Sequence, residues 1–295
     1  MNNVPESRPV PHSVGIERPA HALPQDACDS HMHIFDPRFA PSPHWQRQPP
    51  HADVAAYRRL QQRLGTSRTV VVNPSTYGVN NACTLDALAQ LGERSRGVAV
   101  VGHQVADGEL DALAAQRVCG LRVNFVTPQS WGTTTPEMLT TLARKVVRLG
   151  WHIQVFVQPQ QLVALAPVLA GLPVPLVIDH MARIDPAEGV KGDAYAVARR
   201  LLDGGNTWMK LSGVYMRSRD GAPAYRDAFE LGRALVAAAP ERLVWGSDWP
   251  HTTEVPDTVN DADLADVLAA WCGSTAVRDR ILVDNPAKLY GFAAA

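Results

Sequence analysis

The chain has 295 residues, 46% of them hydrophobic and 19% charged, a charged share below the ~25% of an average soluble domain. That composition supports a sizeable core in one large domain or two small ones and excludes disorder for most of the length. Lys and Arg number 28 against 29 Asp and Glu, a net charge of −1, and no basic run exceeds two residues. Nothing in the charge draws the protein to nucleic acid or an anionic membrane surface, so a small molecule is the expected partner.

The four cysteines, Cys28, Cys83, Cys119 and Cys272, lie far apart and outside any C-x-x-C spacing. This argues against a disulfide framework or a cysteine zinc site and for a reducing compartment. No apolar stretch approaches the ~20 residues of a membrane span, and the N-terminus lacks the apolar region of a signal peptide. The expected location is the cytoplasm.

Residues 1–25 carry five prolines and little apolar periodicity, which predicts an extended arm against the rest of the chain or a neighbouring subunit of a homo-oligomer. From residue 26 to 295 a single domain is expected. Its strand-like runs are Ala27–Phe35, Arg68–Asn73, Gly97–Gly102, Gly120–Phe125, His152–Val157, Leu176–His180, Thr207–Leu211 and Arg242–Gly246. Helix-like stretches alternate with them: Val54–Leu64, Thr84–Leu91, Gly108–Gln116, Pro136–Leu149, Pro159–Leu169, Asp193–Leu202, Ala224–Ala238 and Asp261–Trp271. Thr135 before Pro136 reads as a helix cap with proline in the first turn. Gly65, Gly92, Gly150, Gly171 and Gly204-Gly205 read as helix ends.

Eight strands alternating with eight helices is the arithmetic of a (β/α)8 TIM barrel, an α/β fold. Continuous apolar runs such as Val70-Val71-Val72 suit parallel strands buried on both faces. A doubly wound open sheet is the structural alternative, but the turn after the first strand is His-Met-His-Ile-Phe-Asp, not a glycine-rich phosphate turn.

Nearly every strand ends in polar residues, and in a barrel those ends converge on one mouth. His31 and His33, two apart on a strand, leave on one face, where they can hold one metal ion or polarise one carbonyl oxygen. Alone the pair is weak evidence and fits two half-buried histidines hydrogen-bonded to the neighbouring backbone better. With His180 ending strand six and Asp248 ending strand eight, the set becomes specific. Arg122 and Asn124 share a face of strand four and are placed to grip a substrate carboxylate, unless the arginine pairs with a barrel carboxylate. Ser75 and Tyr77 after strand two, and Tyr215 and Arg217 after strand seven, are further candidates for the mouth. His152 opens its strand and belongs to the opposite end. No G-x-S-x-G elbow, P-loop or dinucleotide G-x-G-x-x-G is present.

The segments Asp29-Ser30-His31-Met32-His33-Ile34-Phe35-Asp36, Val177-Ile178-Asp179-His180-Met181, Trp245-Gly246-Ser247-Asp248-Trp249-Pro250-His251 and Asp284-Asn285-Pro286-Ala287-Lys288-Leu289-Tyr290 resemble the amidohydrolase superfamily, in its order, from about residue 26 to 292. The similarity is to the lactonase branch, whose members act on pyrone dicarboxylate, sulfomuconolactone and sugar-acid lactones. It implies a distorted (β/α)8 barrel in which His31, His33 and His180 match the family's histidines and Asp248 the aspartate that activates water. Arg122 matches a carboxylate-binding arginine, with Phe156, Tyr215, Arg217 and His251 beside the substrate. Phe156 stands where the pyrone enzyme has tyrosine, Met216 where it has arginine, and Pro128-Gln129-Ser130 where it has a second arginine. The resemblance therefore implies a hydrolase for a small acidic lactone of the pyrone dicarboxylate, sulfomuconolactone or sugar-acid type, with these three changes counting against the pyrone dicarboxylate itself. It allows either a divalent metal, zinc above all, on His31, His33, His180 and Asp248, or a metal-free site. A decarboxylase of an aromatic or muconate-type acid and a lactone isomerase are the alternative activities.

Overall fold

The apolar runs fold as eight strands in a computed structural model that describes residues 9–293. In chain order, β1 (Cys28–Met32) leads to α1 (Val54–Leu64), β2 (Arg68–Val72) to α2 (Ala82–Leu91), and β3 (Ser95–Ala99) to α3 (Asp107–Ala114). Next come β4 (Val118–Asn124), α4 (Pro136–Val146), β5 (His152–Phe156), α5 (Pro159–Ala170), β6 (Leu176–Ile178) and α6 (Asp193–Asp203). The last repeats are β7 (Thr207–Leu211), α7 (Phe229–Ala238), β8 (Leu243–Trp245) and α8 (Asp261–Cys272), followed by α9 (Thr275–Asp279), a π-helical turn over Arg280–Asp284 and α10 (Asn285–Tyr290). Each strand pairs in parallel with the next, in the order β1 to β8. The expected TIM barrel is the observed architecture, and the open doubly wound sheet is not.

The seam between β8 and β1 is closed just beyond the strand ends. Asp248 N–H donates to the His31 carbonyl at 2.7 Å and His33 N–H to the Trp249 carbonyl at 2.9 Å. The Asp29 side chain accepts the Ser247 N–H at 2.9 Å in place of a ladder partner. Gly246 is required there: a Cβ on it would lie 2.6 Å from the His31 nitrogen. This close approach sets Asp248 beside His31 and His33.

Inside the barrel, Cys28, Val70, Val98, Val177, Trp208 and Val244 form an apolar lower layer, capped from below by Tyr290 and Phe292. Asn285 ties α10 to the barrel by donating to the carbonyls of Pro240 (2.8 Å) and Leu243 (2.6 Å), which gives the first residue of the Asn-Pro-Ala-Lys-Leu-Tyr motif its role. His152 lies at this lower end as expected, its ring packed against Gly120 and against Tyr290 at 5.5 Å.

Boundaries differ from the sequence expectation where chain geometry overrides pattern. Strand β3 begins two residues early, at Ser95, because its ladder partner is Thr69, while the apolar Val100 and Val101 continue past the strand as buried loop. Helix α7 starts at Phe229, five residues late, because Tyr225 turns left-handed (φ 45°) and a 3₁₀ turn over Arg226–Ala228 intervenes. Gly171 (φ −92°) ends α5 without the left-handed turn seen at Gly65 and Gly150. From Pro9 onward the N-terminal arm runs along its own barrel: Val14 N–H donates to the Val259 carbonyl (2.9 Å) and Arg63 to that of Gly15 (2.7 Å). Residues 1–8 of the expected arm, and 294–295, lie outside the described part. Among the described residues no helix is long and apolar enough to cross a membrane.

Candidate active site

Four left-handed residues in a row, His180 to Arg183 (φ 50–54°), follow β6, and Asp248 (φ 61°) and His251 (φ 57°) follow β8. Non-glycine residues rarely adopt this conformation, and each stores roughly 1–3 kcal/mol of strain that the surrounding packing must hold. The strain is concentrated where the expected site residues leave their strands. It turns His180 back over the barrel and swings Arg183 to the mouth.

The structure brings His31, His33, His180 and Asp248 together. Asp248 Oδ1 lies 3.5 Å from His31 Nε2, 3.5 Å from His33 Nε2 and 3.9 Å from His180 Nε2. His31 and His33 are 3.4 Å apart through their Nε2 atoms. All four residues are buried. Burial alone would push the Asp248 carboxyl up; His180, a hydrogen bond from His33 and His31 outweigh it and hold the group well below the usual carboxylate range. Burial lowers His31 and His180, with Lys210 adding to the effect, so both are neutral at pH 7.

Each histidine is oriented from behind. His33 Nδ1 donates to the Val72 carbonyl at 2.7 Å, which orients the ring so that Nε2 faces Asp248 and His31. His180 Nδ1 meets Ser212 Oγ at 2.8 Å. His31 Nδ1 faces two groups at 3.2 Å, Lys210 Nζ and Asp179 Oδ1, the latter at ion-pairing distance but out of hydrogen-bonding alignment.

Beneath the histidines lies a buried polar layer. Lys210 donates to the Ser30 carbonyl (2.8 Å) and Gln154 Oε1 (2.7 Å), and Gln154 donates to Asp179 Oδ2 at 3.1 Å. Burial pulls Lys210 down to about 8 against the nearby Asp179. Asp179 is pushed up by burial but held well below its ordinary value by His31 and Arg122. The sequence marked these residues only as polar strand ends, without a role.

Above the histidines is a cavity of about 140 Å³ whose lining includes Asp248, His33, His180, Phe156, Ser75, Arg122 and Asn124. Arg122, Arg183 and Arg47 give it three guanidinium groups. The Phe156 ring packs against two of them, 5.0 Å from Arg122 and 5.5 Å from Arg183, as cation–π partners. Arg183 Nε is buried without a hydrogen-bond partner, and Arg47 reaches from the loop after β1 to the Thr252 carbonyl at 3.5 Å. Arg183 and Arg47 were not singled out from sequence; the one available signal was that Arg183 stands three residues after His180.

Several expected substrate contacts fall elsewhere. Tyr77 turns away to Asp36, its hydroxyl accepting that residue's N–H at 3.1 Å, and does not line the cavity. Arg217 pairs with Asp185 at 3.1 Å and is likewise outside the lining, because the 3₁₀ turn over Val214–Met216 points Met216 inward instead. Asn124 lines the cavity, but its amide is committed to the following loop and to Ser75: it donates to Ser75 Oγ (3.0 Å) and Thr127 Oγ1 (2.9 Å) and accepts from Val126 and Thr127 N–H. Tyr215 and His251 sit behind Asp248, outside the lining.

The donor set fits a divalent ion. Three ligand atoms, His31 Nε2, His33 Nε2 and Asp248 Oδ1, are 3.4–3.5 Å apart, close to the ~3.3–3.4 Å edge of a tetrahedron with bonds of ~2.0–2.1 Å. The His33 bond to Val72 is the backing that a metal-bound imidazole needs.

Histidines and a carboxylate at the C-terminal mouth of a (β/α)8 barrel, under a cationic cavity, define a barrel enzyme built to activate water or polarise a carbonyl. A family model described as amidohydrolase matches residues 28–292, and the chain belongs to that family. The 4-sulfomuconolactone hydrolase of Rhizobium radiobacter is 34% identical over 92% of this chain and 91% of its own length. The 2-pyrone-4,6-dicarboxylate hydrolase of Comamonas testosteroni is 32% identical, covering 92% of each. A D-galactarolactone isomerase of Agrobacterium fabrum is 30% identical over 92% of this chain and 93% of its own. An apo crystal structure from Agrobacterium tumefaciens superposes with a TM-score of 0.84 at 30% identity, over 94% of this chain and all of that one.

Proposed function

We propose that the protein is a hydrolase that opens the ring ester of a small acidic lactone. The observation that carries this reading is the placement of Asp248 Oδ1 within 3.5 Å of two histidine Nε2 atoms, on the wall of a small cavity lined by three arginines. Two relatives at 34% and 32% identity are lactone hydrolases whose named substrates carry a sulfonate or two carboxylates. The arginines suit such anions.

In this reading the ring's acidic substituent lies against Arg122 and Arg183, which hold the ester carbon near Asp248. Asp248 Oδ1 takes a proton from water as the water attacks that carbon. Because His31 and His180 are neutral at pH 7, the pull that lowers the Asp248 carboxyl is relaxed there, and the group remains able to accept a proton. The histidine Nε2 groups face the carbonyl oxygen as charge develops on it. Asp248 then returns its proton to the leaving ring oxygen. If His31, His33 and Asp248 hold a zinc ion, with His180 alongside, the ion supplies Lewis-acid polarisation and a more acidic water. Phe156 offers the carbonyl no hydroxyl, which favours a lactone other than the pyrone dicarboxylate.

The isomerase relative supports a second reading, in which the bound lactone migrates to a different hydroxyl of the same molecule. Incubation with 4-sulfomuconolactone, 2-pyrone-4,6-dicarboxylate and galactarolactone, with and without chelator, tests both. Acid release with a product heavier by one water supports hydrolysis. A product of unchanged mass supports isomerisation, and no turnover of any of the three contradicts the proposal.

A further inference from the structure

Behind the proposed base a second line of side chains runs away from the cavity. Tyr215 Oη donates to Asp248 Oδ2 at 2.6 Å; His251 Nδ1 lies 3.1 Å from the same phenol oxygen; His251 Nε2 lies 3.1 Å from Asp261 Oδ2. All four residues are buried, and among them Asp248 alone lines the cavity. Tyr215 and His251 are therefore out of reach of substrate, and their effect on the chemistry passes through Asp248.

The local backbone is arranged for this line. Gly213, between β7 and the turn that carries Tyr215, has φ +64°, and a Cβ on it would lie 3.0 Å from His180 Nδ1. Only glycine lets the chain pass His180 in that conformation and bring the phenol under Asp248. His251 N–H donates to the Asp248 carbonyl at 3.0 Å, so the left-handed turn that presents the carboxylate also presents the imidazole behind it. Asp261 is the first residue of α8, with its N–H donating to Ser13 Oγ of the N-terminal arm at 3.2 Å.

The order of donors and acceptors gives the line a direction. A phenol has one proton to give, and the Asp248 carboxylate 2.6 Å away can only accept, so that proton is committed to Oδ2; Asp261 Oδ2 in the same way accepts from His251 Nε2. A carboxylate free to rotate can present either oxygen, or both, to the histidines. With Oδ2 held by Tyr215, only Oδ1 faces them and the water.

We infer that Tyr215, backed by His251 and Asp261, is a positioning residue for the reaction: it fixes the Asp248 carboxylate so that Oδ1 alone acts as base. The inference rests on Asp248 being that base. The Tyr215→Phe change removes one oxygen and keeps the ring. It is expected to lower kcat by ~10- to 100-fold, the range for loss of one charge-assisted hydrogen bond, with KM changed less than ~3-fold. The His251→Gln variant is expected to show the same pattern with a smaller loss. Because His251 acts through Tyr215, the double variant should fall no more than ~3-fold below Tyr215→Phe.

The test is steady-state kinetics on 4-sulfomuconolactone, or on 2-pyrone-4,6-dicarboxylate where that is turned over faster, for the wild type, both single variants, the double variant and Asp248→Asn, with thermal melts of each. A loss in kcat alone that does not compound in the double variant supports the inference. It is overturned if either single variant keeps wild-type kcat, if KM or the melting temperature moves instead of kcat, or if the losses multiply. An Asp248→Asn variant that keeps its kcat shows instead that the assignment of the base has failed, and the inference falls with it.

Discussion

Arg122 donates its Nε proton to Asp179 Oδ2 at 3.0 Å, and neither of its terminal nitrogens has a hydrogen-bond partner among the described residues. The two roles that the sequence left open for this arginine, pairing with a barrel carboxylate and gripping a substrate anion, are thus compatible in one side chain. The Arg122→Met variant is expected to lose ~10-fold or more in kcat/KM on an acidic lactone, at least ~1.4 kcal/mol of transition-state binding. It should also melt earlier, because Asp179 loses a buried partner. Kinetics on an acidic and a neutral lactone separate the two effects: an equal loss on both means that the residue acts only through the fold.

Arg183 and Arg217 should differ sharply. Arg183 lines the cavity with a buried, unpartnered Nε, whereas Arg217 is spent on Asp185 outside it. Replacing Arg183 by Met is expected to reduce kcat/KM by ~10-fold or more, and the same change at Arg217 by less than ~3-fold. Comparable losses at both positions, measured in parallel, would contradict the placement of Arg217.

Much of the fold was legible because strand ends and helix ends have local chemical signatures. Thr135 caps α4 through its side chain, and Gly65 and Gly150 turn left-handed where the sequence placed helix ends. The central site was legible too, since His31, His33, His180 and Asp248 lie at strand ends and strand ends converge. What escaped depends on contacts far apart in sequence. Arg47 belongs to a long loop whose position is set by the β8 exit, and nothing local marks it. Tyr77, Tyr215 and Arg217 follow strands on the correct side of the barrel, but one residue of turn decides whether a side chain enters the cavity or packs behind it. At β7 that turn gives the cavity to Met216.

The acid side of the pH profile follows from burial of the histidines. His31 and His180 are both lowered from 6.5, so they remain neutral down to a pH below that value, and Asp248 is held well below the usual carboxylate range. As pH falls, activity should hold past 6.5 and then decline as the coupled cluster takes up a proton. A kcat/KM profile whose acidic limb has an apparent pKa above 7 would contradict this ordering.

Lys210 is fully buried, with Ser30, Gln154 and His31 around its ammonium. The Lys210→Met variant removes the cation and leaves Asp179 with less compensation, a change of the kind that costs ~3–5 kcal/mol. At roughly 2–4 °C per kcal/mol for a domain of this order of size, its melting temperature should fall by ~6–20 °C. A melt within ~2 °C of the wild type would show that the polar layer contributes little to stability.

The most direct measurement concerns Asp248 itself. Replacement by Asn keeps the size of the side chain and most of its hydrogen bonding while removing the basic carboxylate. With chemistry rate-limiting, kcat on an acidic lactone is expected to fall by ~10²–10⁴-fold, the usual share of a positioned general base, while the melting temperature shifts by no more than a few degrees. If a folded Asp248→Asn variant kept more than about a tenth of wild-type kcat, another group would activate the water, and the assignment of Asp248 as the base would be wrong.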